Sequence, residues 1–114
     1  MATLTVAQVA RAGVASALAA AAAGGDAFAN DGRVFFEAKN AHATLPRTVT
    51  FTSQLPAGAV PPGAAKTDLA VVVAALTTKR IGPFDPSAFN DATGKVLVTY
   101  SDAAADLTVE AVRV

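Results

Sequence analysis

The chain has no cysteine and no tryptophan, and it holds one histidine, one tyrosine and one methionine among 114 residues. Without cysteine there can be no disulfide, and the usual thiolate zinc sites are excluded too. The redox compartment stays open, because a chain lacking cysteine is compatible with either side of a membrane. With a single histidine, a transition-metal site would have to be completed by carboxylates alone. The absence of tryptophan and the single tyrosine leave little material for the exposed aromatic platform on which sugars usually stack. A surplus of one charge is also missing, since nine basic and nine acidic residues cancel. They are scattered singly, and Lys79-Arg80 is the only adjacent basic pair. Nothing resembles a basic stripe for nucleic acid or a basic helix for a membrane surface, so neither partner is expected. The Ala-rich run Val14 to Ala23 is ten residues long, about half of what a membrane-spanning helix needs.

What is present is bulk of a particular kind. The apolar fraction is 53%, yet about a quarter of all residues are Ala, which buries little area per residue. A core must therefore rest on Phe28, Phe35, Phe36, Phe51, Phe84, Phe89, Tyr100 and the Val, Leu and Ile set. The length suits one domain with one hydrophobic core.

Residues 1–25 read as an arm and 26–114 as the domain proper. In the arm, alanine favours a helix over Val6 to Ala23. Gly13 interrupts that run, and small side chains give a helix little to pack with. Helix and extended arm are therefore both open. The run VASALAAAAA before Gly24-Gly25 could also pass for a secretory signal. Against this, only Arg11 supplies an amino-terminal charge, and alanine is a weak substitute for leucine in such a segment.

From Gly32 onward the texture is that of strands and turns. Arg33 to Lys39 sets Val34, Phe36 and Ala38 on one face and Phe35, Glu37 and Lys39 on the other. Asn40 to Pro46 reads as a connection. Arg47 to Gln54 alternates Val49 and Phe51 against Thr48, Thr50 and Thr52, a half-buried strand with a hydroxyl-lined outer face. Leu55 to Gly63 is a loop, denied a ladder by its prolines and glycines. Leu69 to Leu76 is a continuous apolar run of strand length, expected to be buried on both faces. Thr77 to Phe84 leads into a Gly-Pro break, and turns are expected at Asp85-Pro86 and over Asn90 to Gly94. Lys95 to Tyr100 and Leu107 to Val114 close the chain as strands. Five to seven short strands of this spacing predict an all-β fold: a small antiparallel β-sandwich or jelly-roll-like barrel, with an extended or partly helical N-terminal arm.

Chemistry is harder to find. His42 stands in the loop-like Asn40 to Thr44 with no carboxylate near it in sequence, which is the setting of a solvated histidine rather than a base. Asp85, Asn90 and Asp91, and likewise Asp26, Asn30 and Asp31, bring oxygen ligands to turn-rich stretches of the kind calcium uses. Neither stretch has the alternate spacing or terminal Glu of a calcium loop, and Asx-turn closure is the simpler reading. Gly94-Lys95 lacks the glycine spacing of a phosphate loop and reads as a hairpin turn. Serines 16, 53, 87 and 101 lie outside any nucleophile-elbow context. No catalytic, cofactor or metal residue is assigned, and the chain is expected not to be an enzyme.

Two stretches carry a resemblance. Asp26 to Asn40 (DAFANDGRVFFEAKN) and Arg80 to Ser101 (RIGPFDPSAFNDATGKVLVTYS) are similar to segments of small proteins encoded among the head genes of tailed bacteriophages. Those proteins share an F-x-N-D-G-R turn entering a strand, an I-G-P-F to F-N-D to G-x-V-x-V-T-Y segment, and a short final strand like Leu107 to Val114. The resemblance spans residues 26–114, with 55–66 poorly matched, and its motifs are not chemical. It implies a capsid decoration or cement protein that binds the major capsid protein on the outside of the virion and forms a homo-oligomer on the shell. It would be made in the host cytoplasm and need no cofactor. The same resemblance favours a mostly extended arm. It implies contacts through Val6, Val9, Arg11, Val14 and Leu18 on that arm and through Phe28, Arg33, Arg47 and Arg80 on the domain. An Ala run is unlike the more polar arms of the group. Two other readings stand beside this one: a secreted or periplasmic β-sandwich binding module, and a head-tail or tail subunit.

Overall fold

A computed structural model describes residues 2–15, 18–54, 68–101 and 106–114. The loop expected over 55–63, the poorly matched part of the resemblance and Ser16 lie outside the described residues. Among these residues, ten strands and one short helix follow in chain order: β1 (Ala2–Thr3), β2 (Val6–Gln8), β3 (Ala19–Ala20), β4 (Asp26–Ala29), β5 (Val34–Asn40), β6 (Arg47–Phe51), β7 (Leu69–Val73), β8 (Thr77–Ile81), α1 (Pro86–Phe89), β9 (Lys95–Tyr100) and β10 (Leu107–Arg113).

They form two sheets. The first runs β1-β4-β9-β6-β7, and the second runs β2-β10-β5-β8 with β3 also on β10. Alternation explains the strands that carry the core. Val34, Phe36 and Ala38 of β5 and Val109 and Ala111 of β10 turn inward from the second sheet, opposite Phe28, Val49, Phe51, Val96 and Val98 of the first. Burial of such side chains supplies the main driving force for bringing the sheets together. Phenylalanine fills the middle. Phe51 lies 4.7 Å from Phe84 and 5.2 Å edge-on from Phe36, while Phe28 lies 5.6 Å from both Phe36 and Phe84. These are the separations at which offset and edge contacts between rings add to burial.

Two expectations need correction, and the extended form is the one that the described residues of the arm take. The arm has no helix among its described residues. Val6–Gln8 pairs in parallel with Ala111–Arg113, Ala19–Ala20 pairs antiparallel with Val109 and Thr108, and Ala2–Thr3 pairs in parallel with Asp26–Ala27. Hydrogen bonds offered by ready-made sheet edges outweigh the helix preference of alanine, which is only a few tenths of a kcal/mol per residue against typical neighbours. Because the pairings of β1 and β2 are parallel, both sheets are mixed rather than purely antiparallel. Finally, the run from Leu69 is not buried on both faces. Among the described residues β7 stands at the edge of its sheet with β6 as its one partner, and only Val73 of the strand is fully buried. Thr77 to Ile81, on the way to the Gly-Pro break, is an edge strand of the other sheet.

Candidate protein interface

The two stretches that carry the resemblance, some fifty residues apart in sequence, meet in space. Asn30 donates through Nδ2 to the Phe84 carbonyl at 3.1 Å and to Asn90 Oδ1 at 2.8 Å, and Asn90 Nδ2 returns a bond to the Asn30 carbonyl at 2.8 Å. Asn30 Oδ1 accepts from the Gly32 amide at 3.0 Å, closing the Asn-Asp-Gly turn. Gly82 has φ +131° and passes so close to β5 that an added Cβ would sit 3.1 Å from the Phe35 Cα, which a larger residue could adopt only with strain. The asparagine turn, the Gly-Pro break and the phenylalanines are therefore parts of one packing unit.

Each carboxylate in these turns is engaged by the protein itself. Asp85 caps α1 by accepting from the Ser87 amide at 3.0 Å and its hydroxyl at 2.8 Å. Asp91 accepts from the Thr93 amide, the Thr93 hydroxyl and the Lys95 amide, and these bonds, led by the hydroxyl, hold its carboxyl below the usual carboxylate range. Asp31 pairs with Arg113 Nε at 2.8 Å. Asp26 is almost fully buried and accepts the Tyr100 hydroxyl at 2.6 Å. Burial pushes the Tyr100 phenol far up, and the bond to Asp26 adds to the shift. Such interlocked donors and acceptors close turns. His42 does similar work: its Nδ1 accepts from the amides of Thr44 and Leu45 at 3.1 and 2.9 Å.

The outer faces of the two sheets differ sharply. On the second sheet, Glu110, Glu37 and Arg80 lie in one row across β10, β5 and β8, and Arg80 Nε meets Glu37 Oε1 at 3.3 Å. Glu37 and Glu110 point away from the core yet are buried, because the arm lies over them. Val9, Val14 and Ala15 line a depression of about 190 Å³ together with Phe35, Glu37, Arg80, Glu110 and Val112. On the first sheet, the register sets Val72 beside Thr48 and Ala70 beside Thr50 and Thr99, with Ala27 and Leu97 in the neighbouring row. Among the described residues of that face the one charge is Lys95, opposite Ala29.

The residues singled out from sequence are dispersed. Val6 is partly buried and packs on the core. Val9 and Val14 are exposed beside the depression, Arg11 is exposed in a turn, and Leu18 is half-buried. Arg33 and Arg80 line a separate pocket of about 460 Å³ floored by Phe35, Ile81 and Pro83, with Val114 at its rim. Phe28 has no exposed surface and belongs to the core. Arg47 is buried as well and reaches Asp106 at 3.3 Å. Sequence reasoning passed over Leu45, Val72 and Leu76, which are 51%, 52% and 70% exposed. The signal available for the last two was the lack of any charge between Leu69 and Leu76, which was read as depth. No family model, curated protein or solved structure matches the chain.

Proposed function

We propose that this chain is a non-enzymatic structural protein of a tailed-bacteriophage virion, a two-sheet module that decorates or cements the capsid shell by contact with the major capsid protein. The observation that carries the reading is the outer face of the first sheet. Its threonine, alanine and valine side chains present short side chains and hydroxyls with little charge, over which another protein's backbone can approach closely. The resemblance of residues 26–114 supports the same reading. So does the way the turn carboxylates are spent on the protein's own amides and hydroxyls, which makes the matched residues a folding unit.

Cosedimentation with purified phage shells, empty-expanded and DNA-filled, tests the proposal. Binding is expected, and Thr50→Lys and Thr99→Lys, which sit side by side on the outer face, are expected to weaken it at least tenfold without lowering the melting temperature by more than a few degrees. Unimpaired binding by both variants would move the interface elsewhere, and no binding to either shell would overturn the function.

A further inference from the structure

We propose that β7 is a strand-addition interface, at which the free edge of Leu69–Val73 pairs in antiparallel register with the same strand of a second copy of this chain. The inference stands independently of shell binding.

Three observations converge on that edge. Among the described residues β7 ends its sheet, and an unpaired strand offers a row of amide and carbonyl groups to any strand that can reach it. The other edges are managed: β1, β2 and β3 are only two or three residues long, and β8 carries Lys79 and Arg80. β7 has no charge and no proline, so it lacks the features that usually discourage pairing. Second, exposed large apolar side chains gather there. Leu69 and Val72 are on the strand, at 39% and 52% exposure, and Leu76 follows it at 70%. Leu45, 51% exposed, is held alongside, because Asn40 Nδ2 donates to both the Leu45 and Val73 carbonyls. Third, Leu76 has φ 59°, a left-handed conformation that costs a non-glycine residue roughly 1–2 kcal/mol. The chain thus holds a strained, exposed leucine at the end of an open edge.

Charge decides the occupant. A strand pairing with its own copy sets identical residues near one another, which penalises any edge bearing one sign of charge. Leu69–Val73 has none. With the two-fold axis at Val71, Leu69 faces Val73 and Ala70 faces Val72, a larger side chain against a smaller one in each pair. Such a contact is isologous and closes at two copies.

The test uses the full chain. At about 100 µM, where a complex of micromolar Kd is saturated, light scattering should give twice the chain mass for the native protein and the chain mass for Val72→Lys. A native mass of one chain, or an open series of larger species, overturns the proposal. The register is tested separately, aided by the absence of native cysteine. Opposed antiparallel residues have Cα atoms about 4.5–5.5 Å apart, within the range a disulfide spans. Under mild oxidation, a mixture of Ala70→Cys and Val72→Cys chains should cross-link into the mixed dimer, and neither variant alone should do so to a comparable extent. Equal cross-linking of the single variants, or none in the mixture, overturns the register and with it the interface. This second arm also decides the matter should Val72→Lys fail to fold.

Discussion

Tyr100 and Asp26 show how one hydrogen bond can set the chemistry of a small core. The carboxylate is buried at the start of β4 and the phenol reaches it from the end of β9. Removing the donor in Tyr100→Phe leaves a buried carboxylate with less compensation and should cost roughly 1–3 kcal/mol in a denaturant titration. The pH dependence has a definite sign. The folded protein holds the phenol protonated more strongly than the unfolded chain does, so the contribution is whole below about pH 10 and is lost as pH rises above it. Tyr100→Phe should therefore show a shallower loss of stability on the alkaline side than the native protein. Asp91 works in the opposite sense. Its carboxyl is held down by Thr93 and Lys95, so its contribution is present above about pH 4 and is lost as pH falls below that. Melting temperatures of Asp91→Asn and the native chain should differ at neutral pH and converge in acid. At Leu76 the change should go the other way: Leu76→Asn accepts φ 59° more readily and should gain up to about 1 kcal/mol. If the exposed leucine serves the β7 edge, that gain should come with weaker self-association.

Among the elements, those with their own pattern were readable and those defined by a neighbour were not. The inward sides of β5, β6 and β9 follow from alternation, since Val34, Phe36, Val49, Phe51, Val96 and Val98 are all buried. The turns at Asn30 and Asp91 were likewise foreseeable from asparagine, aspartate and glycine chemistry. The two-residue β1 and β3 have no period of their own; they exist because β4 and β10 offer edges. The burial of Leu69 to Leu76 depends on which strands flank it, and an apolar run carries no information about that. The same limit hid the candidate interface, because an exposed apolar edge and a buried apolar strand look alike in one dimension. What sequence did hold, without revealing why, is the coupling of the two matched stretches. Gly82→Ala should test it: the added methyl group meets the β5 backbone at φ +131°, so the expected loss is roughly 1–3 kcal/mol, with the damage reaching the Asn30 turn through Phe84.

For the molecule as a whole, the arm is the element whose meaning changes most between sequence and structure. The resemblance implied shell contacts through it, and within the chain it lies along the edges of both sheets, with Ala21 inside the core cluster and Leu4 and Val6 packed on it. Deleting residues 1–8 should therefore leave a folded domain with a lower melting temperature, and it should also free the edges of β4 and β10. Increased self-association of the truncated chain, read by light scattering, is the expected result. Deletion through residue 25 should be more damaging, since it also removes β3 and the buried Ala21.

β10 receives β5 along one side and both β2 and β3 along the other. It is also the last strand in the chain. During synthesis the arm is made before the strand that orders it, so the second sheet cannot close around the arm until β10 has left the ribosome. Such long-range pairing slows folding relative to chains built from local contacts. The order of assembly is thus the reverse of the order of translation, and a ribosome-stalled chain ending before Leu107 should leave Val6–Gln8 and Ala19–Ala20 open to a protease that the released protein resists.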